Sequence, residues 1–311
     1  MPRVPRFLVQ GESATYHVIS RSALPGFVLG DGEKEHLTRL LRRLARVYFV
    51  EVLGFCWMGN HAHLVLRMHS GDGASDEEVR RRFRLYYGEG KAGKRELLNG
   101  QIPSYRAKWE SLSELVKDFK QSFSRWFNKN HARQGYFWGE RFKSVLVEDG
   151  DTLLQVLAYV DLNPVRAGLV SRPEDYRWSS LGYHLQAGNP DGLLSLDLGL
   201  TPFGTLDEGQ RLRAYRKYVY EVGSLPSAKG AAIPEEAVQK EEERGFQITA
   251  ARRLSCRIRY FTDSGVIGTQ AFVAECYRRF GGRLAHRREK QPHRIADLDG
   301  IFSLKRLRKP A

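Results

Sequence analysis

Two β-prone runs, VEVLGFCWM (50–58) and HAHLVLRM (61–68), are separated by Gly59 and Asn60 alone, and a two-residue Gly/Asn connection between such runs dictates an antiparallel hairpin. Successive side chains on a strand point to opposite faces. His61 and His63 therefore emerge on one side of the second strand, while Ala62, Leu64 and Leu66 point to the other. Two imidazoles at that spacing can share one metal ion. They can equally be a polar strand end satisfied by hydrogen bonds, because His-x-His is a short pattern with little information of its own.

The hairpin sits in a longer alternation. ATYHVISRS (14–22) reads as a strand, and after the Pro/Gly turn at LPGF the pattern EKEHLTRLLRRLARVYF (33–49) reads as a helix. Strand, helix, strand, strand is half of a split βαβ unit. Residues 69–108 are polar, Gly-interrupted and Arg-rich, as expected of a helix and loop inserted at the edge of a core. SLSELVKDFKQSFSRWFNKNH (111–131) is a strongly periodic helix with Leu112, Leu115, Val116, Phe119, Phe123, Trp126 and Phe127 on one face, opened by a capping box between Ser111 and Glu114. YFWGERFKSVLVED (136–149) places an aromatic cluster before another strand. A further helix opens at Asp151 or Thr152 and is expected to close near Asn163, because Pro164 disfavours helical geometry in the residue before it. GNPDGLL (188–194) reads as a boundary, 207–222 as a helix and 224–234 as a linker.

A chain of 311 residues has ample length to bury a core without covalent staples. Cys56, Cys256 and Cys276 are scattered and odd in number, which argues against a disulfide framework or a thiolate zinc site. With no long uncharged apolar run, the expectation is a soluble, cytoplasmic protein without membrane contact. The formal net charge of +14 and pI of about 9.8 favour a polyanionic partner. The charge concentrates in residues 251–311, which hold 15 Lys and Arg against 5 Asp and Glu, interleaved with aromatics. That segment is expected to touch nucleic acid and to keep the protein near the nucleoid.

On the helix from Thr152 to Asn163, a polar line of Thr152, Gln155, Tyr159 and Asn163 follows helical spacing, while Leu153, Leu154, Val156, Leu157 and Val160 supply the packing face. Tyr159 and Asn163, one turn apart, can address one small site. A divalent ion held by two imidazoles and an amide oxygen keeps positions open for phosphate oxygens, and a neighbouring phenol can attack phosphorus. The resulting aryl phosphodiester conserves the bond for later rejoining. Taken singly, Tyr159 is better explained as a half-buried core tyrosine, and Asn163 as a helix-ending residue before proline.

Together the segments YHVISRS (16–22), CWMGNHAHLVL (56–66), FKQSFSRWFNKNH (119–131), GYFWGERFKSVLVED (135–149) and AYVDLNPVRAGLV (158–170) resemble the HUH single-stranded DNA transposases, specifically the REP-associated tyrosine transposases, in family order. The resemblance implies an α+β, ferredoxin-like catalytic domain over 1–185, with a central antiparallel sheet flanked by helices and an insertion at about 69–110. A helical segment and linker (186–234) and a mainly helical, basic C-terminal region (235–311) would follow. It implies Tyr159 as nucleophile, His61, His63 and Asn163 as ligands of Mg²⁺ or Mn²⁺, and single-stranded hairpin DNA as substrate, cut through a 5′-phosphotyrosine by a monomer or homodimer. Expected DNA contacts are Lys120, Arg125, Trp126, Trp138, Arg141 and Lys143 beside the site, although the tryptophans read more readily as core than as a platform for bases, and Arg283, Arg287 and Arg288 in the tail. Gly59 departs from the proline that the family commonly carries before the Asn-His pair. Two alternatives share these residues: a binding module for palindromic repeats in which chemistry is dispensable, and a hydrolase that activates water and uses Tyr159 only structurally.

Overall fold

A computed structural model of the chain describes residues 8–88, 96–196, 207–225 and 230–246, with short pieces between 267 and 303. Its centre is a four-stranded antiparallel sheet of β1 (Ala14–Arg21), β2 (Val50–Trp57), β3 (His61–Met68) and β4 (Lys143–Val147), in the order β2-β3-β1-β4. This is the α+β architecture expected, with the hairpin formed as its turn requires and β3 in the interior of the sheet.

Alternation gives the sheet two different faces. On one, Trp57 lies opposite Ala62, fully buried between α1 (Asp31–Ala45) and the long helix further on; its indole N–H donates to Thr38 Oγ1 at 2.9 Å, and its ring stacks on Phe119 at 5.9 Å. α1 is shorter than its pattern: it stops at Ala45, and Val47, Tyr48 and Phe49 turn inward as a buried connection to β2. The inserted region forms α2 (Asp76–Tyr87) and α3 (Ile102–Trp109), with 89–95 outside the described residues. These helices are tied to α4 (Leu112–Asn130) where the hydroxyls of Tyr48 and Tyr86 and the Lys108 ammonium converge on the Asp118 carboxylate. Ser111 caps α4 by accepting from Glu114 N–H, which is half of the expected capping box; the Glu114 carboxylate instead accepts from Lys117, and Ser111 N–H donates to Lys108 O.

The other face carries the histidines and is covered by α5 (Asp151–Arg166). Gly54 makes this close approach possible: a Cβ there would fall 2.7 Å from Leu157 Cδ2. Two expectations for α5 are corrected. Its N-cap is Gly150, at φ 85°, rather than Asp151 or Thr152, and the helix runs through Pro164 to Arg166. The proline removes the N–H that would meet the Val160 carbonyl. The Asn163 side-chain amide replaces it, donating from Nδ2 to Val160 O at 3.4 Å and to Tyr159 O at 2.8 Å.

Beyond α5 the described residues up to 246 stay tied to the same body. The stretch 188–194, expected to mark a boundary, lies against β2, where Leu194 bridges Val52 and Ser195 N–H donates to Val52 O at 2.8 Å. α6 (Glu208–Ser224) packs on α5. Its Arg216, only 1% exposed, donates to Glu174 at 2.6 Å and to Glu241 of α7 (Glu235–Glu243) at 2.7 Å. Most of the segment 251–311 lies outside the described residues. Its described pieces include three two-residue strands, Ile267–Gly268, His293–Arg294 and Phe302–Ser303, paired antiparallel with the last in the middle. Among the described residues no helix is long and apolar enough to cross a membrane.

Candidate active site

Strand pairing assembles the site. β3 presents His61 and His63 toward α5, their ring centroids 5.0 Å apart. His63 is 3% exposed and His61 is half-buried. Tyr159 arrives from α5, its ring 5.9 Å from that of His63 in an edge-on arrangement, while 42% of its surface stays open to solvent. One turn further along α5, Asn163 has its NH₂ committed to its own helix, which leaves Oδ1 as the atom available to a ligand. The guanidinium of Arg166 lies 5.5 Å from the centre of the Tyr159 ring.

β1 adds a residue that the sequence reading passed over. His17 shares the histidine face, is 7% exposed, and stands 2.9 Å from His63 Nδ1 through its Nε2. The two rings lie within 17° of coplanar with centroids 5.2 Å apart, as an in-plane hydrogen bond requires, and His17 also meets Tyr159 edge-on at 6.0 Å. The signal was present in YHVISRS: once 14–22 is a strand, alternation puts His17 with Ile19 and Arg21, and pairing with β3 lays that face beside His61 and His63. The strand register was the missing piece. Arg21 pairs directly with His61 and supplies a cation at the rim of the site.

Burial keeps these imidazoles neutral. It lowers His17 to a pKa of about 4 and, with the Arg21 charge adding to it, His61 to about 4. His63 falls to about 3, through burial first and then the neighbouring His17, His61 and Arg21. Neutral imidazoles are what a metal requires. His63 Nε2 is buried with no hydrogen-bond partner, an orphan of the kind a metal would satisfy. His61 Nδ1 is engaged by Asn60 Oδ1 at 2.7 Å, which leaves its Nε2 for a ligand. Among the described residues no three His, Cys, Asp or Glu are grouped to hold a metal, so His17 does not complete a three-imidazole centre. Two imidazoles and one amide oxygen would make a donor set for a hard divalent ion whose remaining coordination positions stay free for water and phosphate.

The expected DNA contacts divide. Lys143, first residue of β4, pairs with Ile19, which in turn pairs with His63, so it belongs to the histidine face and is exposed. Arg141 is exposed beside it. On α4, Arg125 is exposed and bonds to Gln121 at 3.3 Å, whereas Lys120 donates to the carbonyl of Glu140 at 2.8 Å. Trp138 is corrected: it is 5% exposed, packed on Phe123 and Phe137, and its N–H donates to Lys120 O, so its faces are core rather than a platform for bases. Trp126 is stacked on His36 at 4.0 Å. Arg283, Arg287 and Arg288 lie outside the described residues.

Apart from Tyr159, the most exposed aromatics among the described residues are ones the sequence did not single out. Tyr136 is 89% exposed and Phe27 84%. Phe27 lies over Gly59, where any Cβ would fall 2.7 Å from its ring, so Gly59 makes room for that ring. The 136–139 segment is tied to the end of β1 by hydrogen bonds from Ala23 to Phe137 and from Gly139 to Arg21.

No family model matches the chain. A curated protein of Haemophilus influenzae described as "Putative REP-associated tyrosine transposase" is 25% identical over 181 residues, covering 53% of this chain and 86% of that protein. The chain is thus similar to a REP-associated tyrosine transposase. A solved structure of a REP-associated tyrosine transposase bound to a REP hairpin matches 76% of this chain and 100% of its own, with 14% identity and a TM-score of 0.43.

Proposed function

We propose that the protein is a REP-associated tyrosine transposase, a metal-dependent endonuclease and strand transferase that cuts single-stranded hairpin DNA through a 5′-phosphotyrosine at Tyr159. The observation that carries this reading is the meeting of a solvent-open tyrosine with two neutral imidazoles, one of them bearing an orphaned Nε2, on one face of the sheet. An aromatic alcohol that only packed the core would not need that exposure.

In this reading Tyr159 Oη bonds to the scissile phosphorus and the P–O3′ bond breaks. The phenolic proton passes to solvent and the departing O3′ takes a proton from water, so one phosphodiester is exchanged for another and the strand ends in a free 3′-hydroxyl. Arg166, beside the phenol ring, lowers the cost of negative charge on Oη. Arg21 and Lys143, at the edge of the same face, provide cations for the phosphates on either side. His61, His63 and the Asn163 amide oxygen would hold Mg²⁺ or Mn²⁺, which when bound supplies Lewis-acid polarisation of the phosphate. The reverse attack by a 3′-hydroxyl rejoins the strand.

Water-activated hydrolysis is less well supported, because the carboxylate nearest Tyr159 in sequence is committed elsewhere. Asp161 is fully buried and accepts from Ser180 Oγ at 2.9 Å, Leu181 N–H at 3.0 Å and Tyr215 OH at 2.5 Å. The test is incubation of labelled single-stranded hairpin oligonucleotides with protein and Mn²⁺ or Mg²⁺, resolved on denaturing gels. A metal-dependent covalent adduct that is absent from Tyr159→Phe is the expected result. Binding without adduct would favour the recognition module, and cleavage surviving in Tyr159→Phe would favour the hydrolase.

A further inference from the structure

Each histidine of the pair has its Nδ1 engaged and its Nε2 bare, but by different devices. For His61 the partner is Asn60 Oδ1, which can only accept, so His61 Nδ1 carries the proton and Nε2 keeps its lone pair. For His63 the partner is another imidazole, His17, through Nε2 at 2.9 Å. That contact admits two proton arrangements. If His17 donated, His63 would have to carry its proton on Nε2, where it would be a buried N–H with nothing to receive it. If His63 donates from Nδ1, the buried Nε2 is a bare lone pair that a metal ion can satisfy.

We infer that His17 is a positioning residue that accepts the Nδ1 proton of His63, and that Asn60 does the same for His61, so that both imidazoles are preset as Nε2 ligands before any metal arrives. The inference rests on the metal-binding reading of the site. It assigns His17 to no contact with metal or DNA. Its work is to choose the tautomer of His63 and to hold that ring within 17° of its own plane through the in-plane hydrogen bond. His17 suits this because it is buried at a fixed place on β1, the strand hydrogen-bonded to β3, two residues from the one that pairs with His63.

Two variants separate this role from packing. His17→Leu fills the site but offers no acceptor, whereas His17→Gln places an amide oxygen within reach of the same proton. Loss of an outer partner of a ligand imidazole weakens metal binding by roughly 10–100-fold. We expect Mn²⁺ affinity, read by electron paramagnetic resonance on the DNA-free protein, to fall by about that factor in His17→Leu and to recover to within severalfold of wild type in His17→Gln. Equal affinity in all three proteins, or equal loss in both variants, overturns the role.

Tautomers are read independently, with no metal added, from the ring-nitrogen shifts in ¹⁵N-labelled wild type. Protonation of His63 at Nδ1 and of His61 at Nδ1 is expected, and protonation of His63 at Nε2 overturns the assignment. If wild type binds no Mn²⁺ while both tautomers are as stated, the metal reading fails and the preset imidazoles stand. If Mn²⁺ binds and His63 carries its proton on Nε2, the reverse holds.

Discussion

Gly54 connects the sheet to the chemistry, and adding one methyl group there tests how tightly Tyr159 is held. A Cβ at Gly54 would stand 2.7 Å from Leu157 Cδ2 and 3.1 Å from Ser180 Oγ. Carbon atoms pack at about 3.5–4.0 Å, so relief requires a movement of roughly 1 Å. Neither neighbour can give way freely. Leu157 is 1% exposed within the core, and Ser180 is bonded to Asp161 and to the backbone of Phe55. The strain therefore lifts α5, and Tyr159 is two residues from Leu157 on that helix. Overpacking of this kind costs about 1–3 kcal/mol, a fall in melting temperature of roughly 2–12 °C for a body of this size. A reacting group misplaced by about 1 Å can lose on the order of 10²-fold in rate. Gly54→Ala is expected to lower thermal stability by that amount and to cut the rate of covalent adduct formation more steeply than the stability loss alone explains. Gly73→Ala, where a Cβ meets nothing within 4 Å, serves as the control. A Gly54→Ala protein that melts and reacts like wild type would refute the claim that the β2–α5 approach positions the tyrosine.

Three further outcomes follow from the same structure. Arg216→Met leaves the buried Glu174 without its cation and should cost about 3–5 kcal/mol at neutral pH, measured by urea denaturation. An unpaired buried carboxylate binds its proton more tightly in the folded state, so the deficit should shrink as pH falls; a deficit that grows contradicts this. His17, His61 and His63 titrate at about 4, 4 and 3 when folded, below the 6.5 of a free imidazole. Their lowered values mean stability is lost as pH falls from about 6.5 toward 4, while the ligands stay neutral, so Mn²⁺ affinity measured calorimetrically should hold to about pH 5. A binding midpoint near 6.5, the value expected for unburied histidines, would contradict the burial argument. Finally, neutralising Lys and Arg within 283–309 should weaken DNA affinity and flatten its salt dependence while sparing cleavage at saturating DNA; an unchanged slope makes that segment a bystander.

The sequence made the local part of this architecture readable. The Gly59–Asn60 hairpin, the face shared by His61 and His63 and the apolar stripe of α4 all follow from periods of two and 3.6, which depend on near neighbours only. What it concealed depends on register and burial between distant segments. His17 reaches His63 only because β1 lies beside β3, so no spacing within either strand announces the pair. Trp138 and Trp126 could each be core or a platform for bases, and the sequence does not show that 136–139 docks on β1 and α4 and so buries Trp138. Pro164 gave a sound reason for α5 to end, and the helix continues because Asn163 takes over the missing bond to Val160. Arg216 reads as one more surface charge, yet it is buried between two carboxylates from separate segments.

The central claim is that Tyr159 makes the bond to DNA, and the direct measurement is the identity of the residue that carries it. After reaction of wild-type protein with a hairpin oligonucleotide and Mn²⁺, nuclease trimming and tryptic digestion, mass spectrometry locates the nucleotide remnant. Cleavage after Lys143 and Arg166 releases residues 144–166, in which Tyr159 is the one tyrosine. The account requires the phosphodiester mass on Tyr159 of this peptide. A remnant on any other residue, or cut DNA with no remnant on the protein, contradicts it.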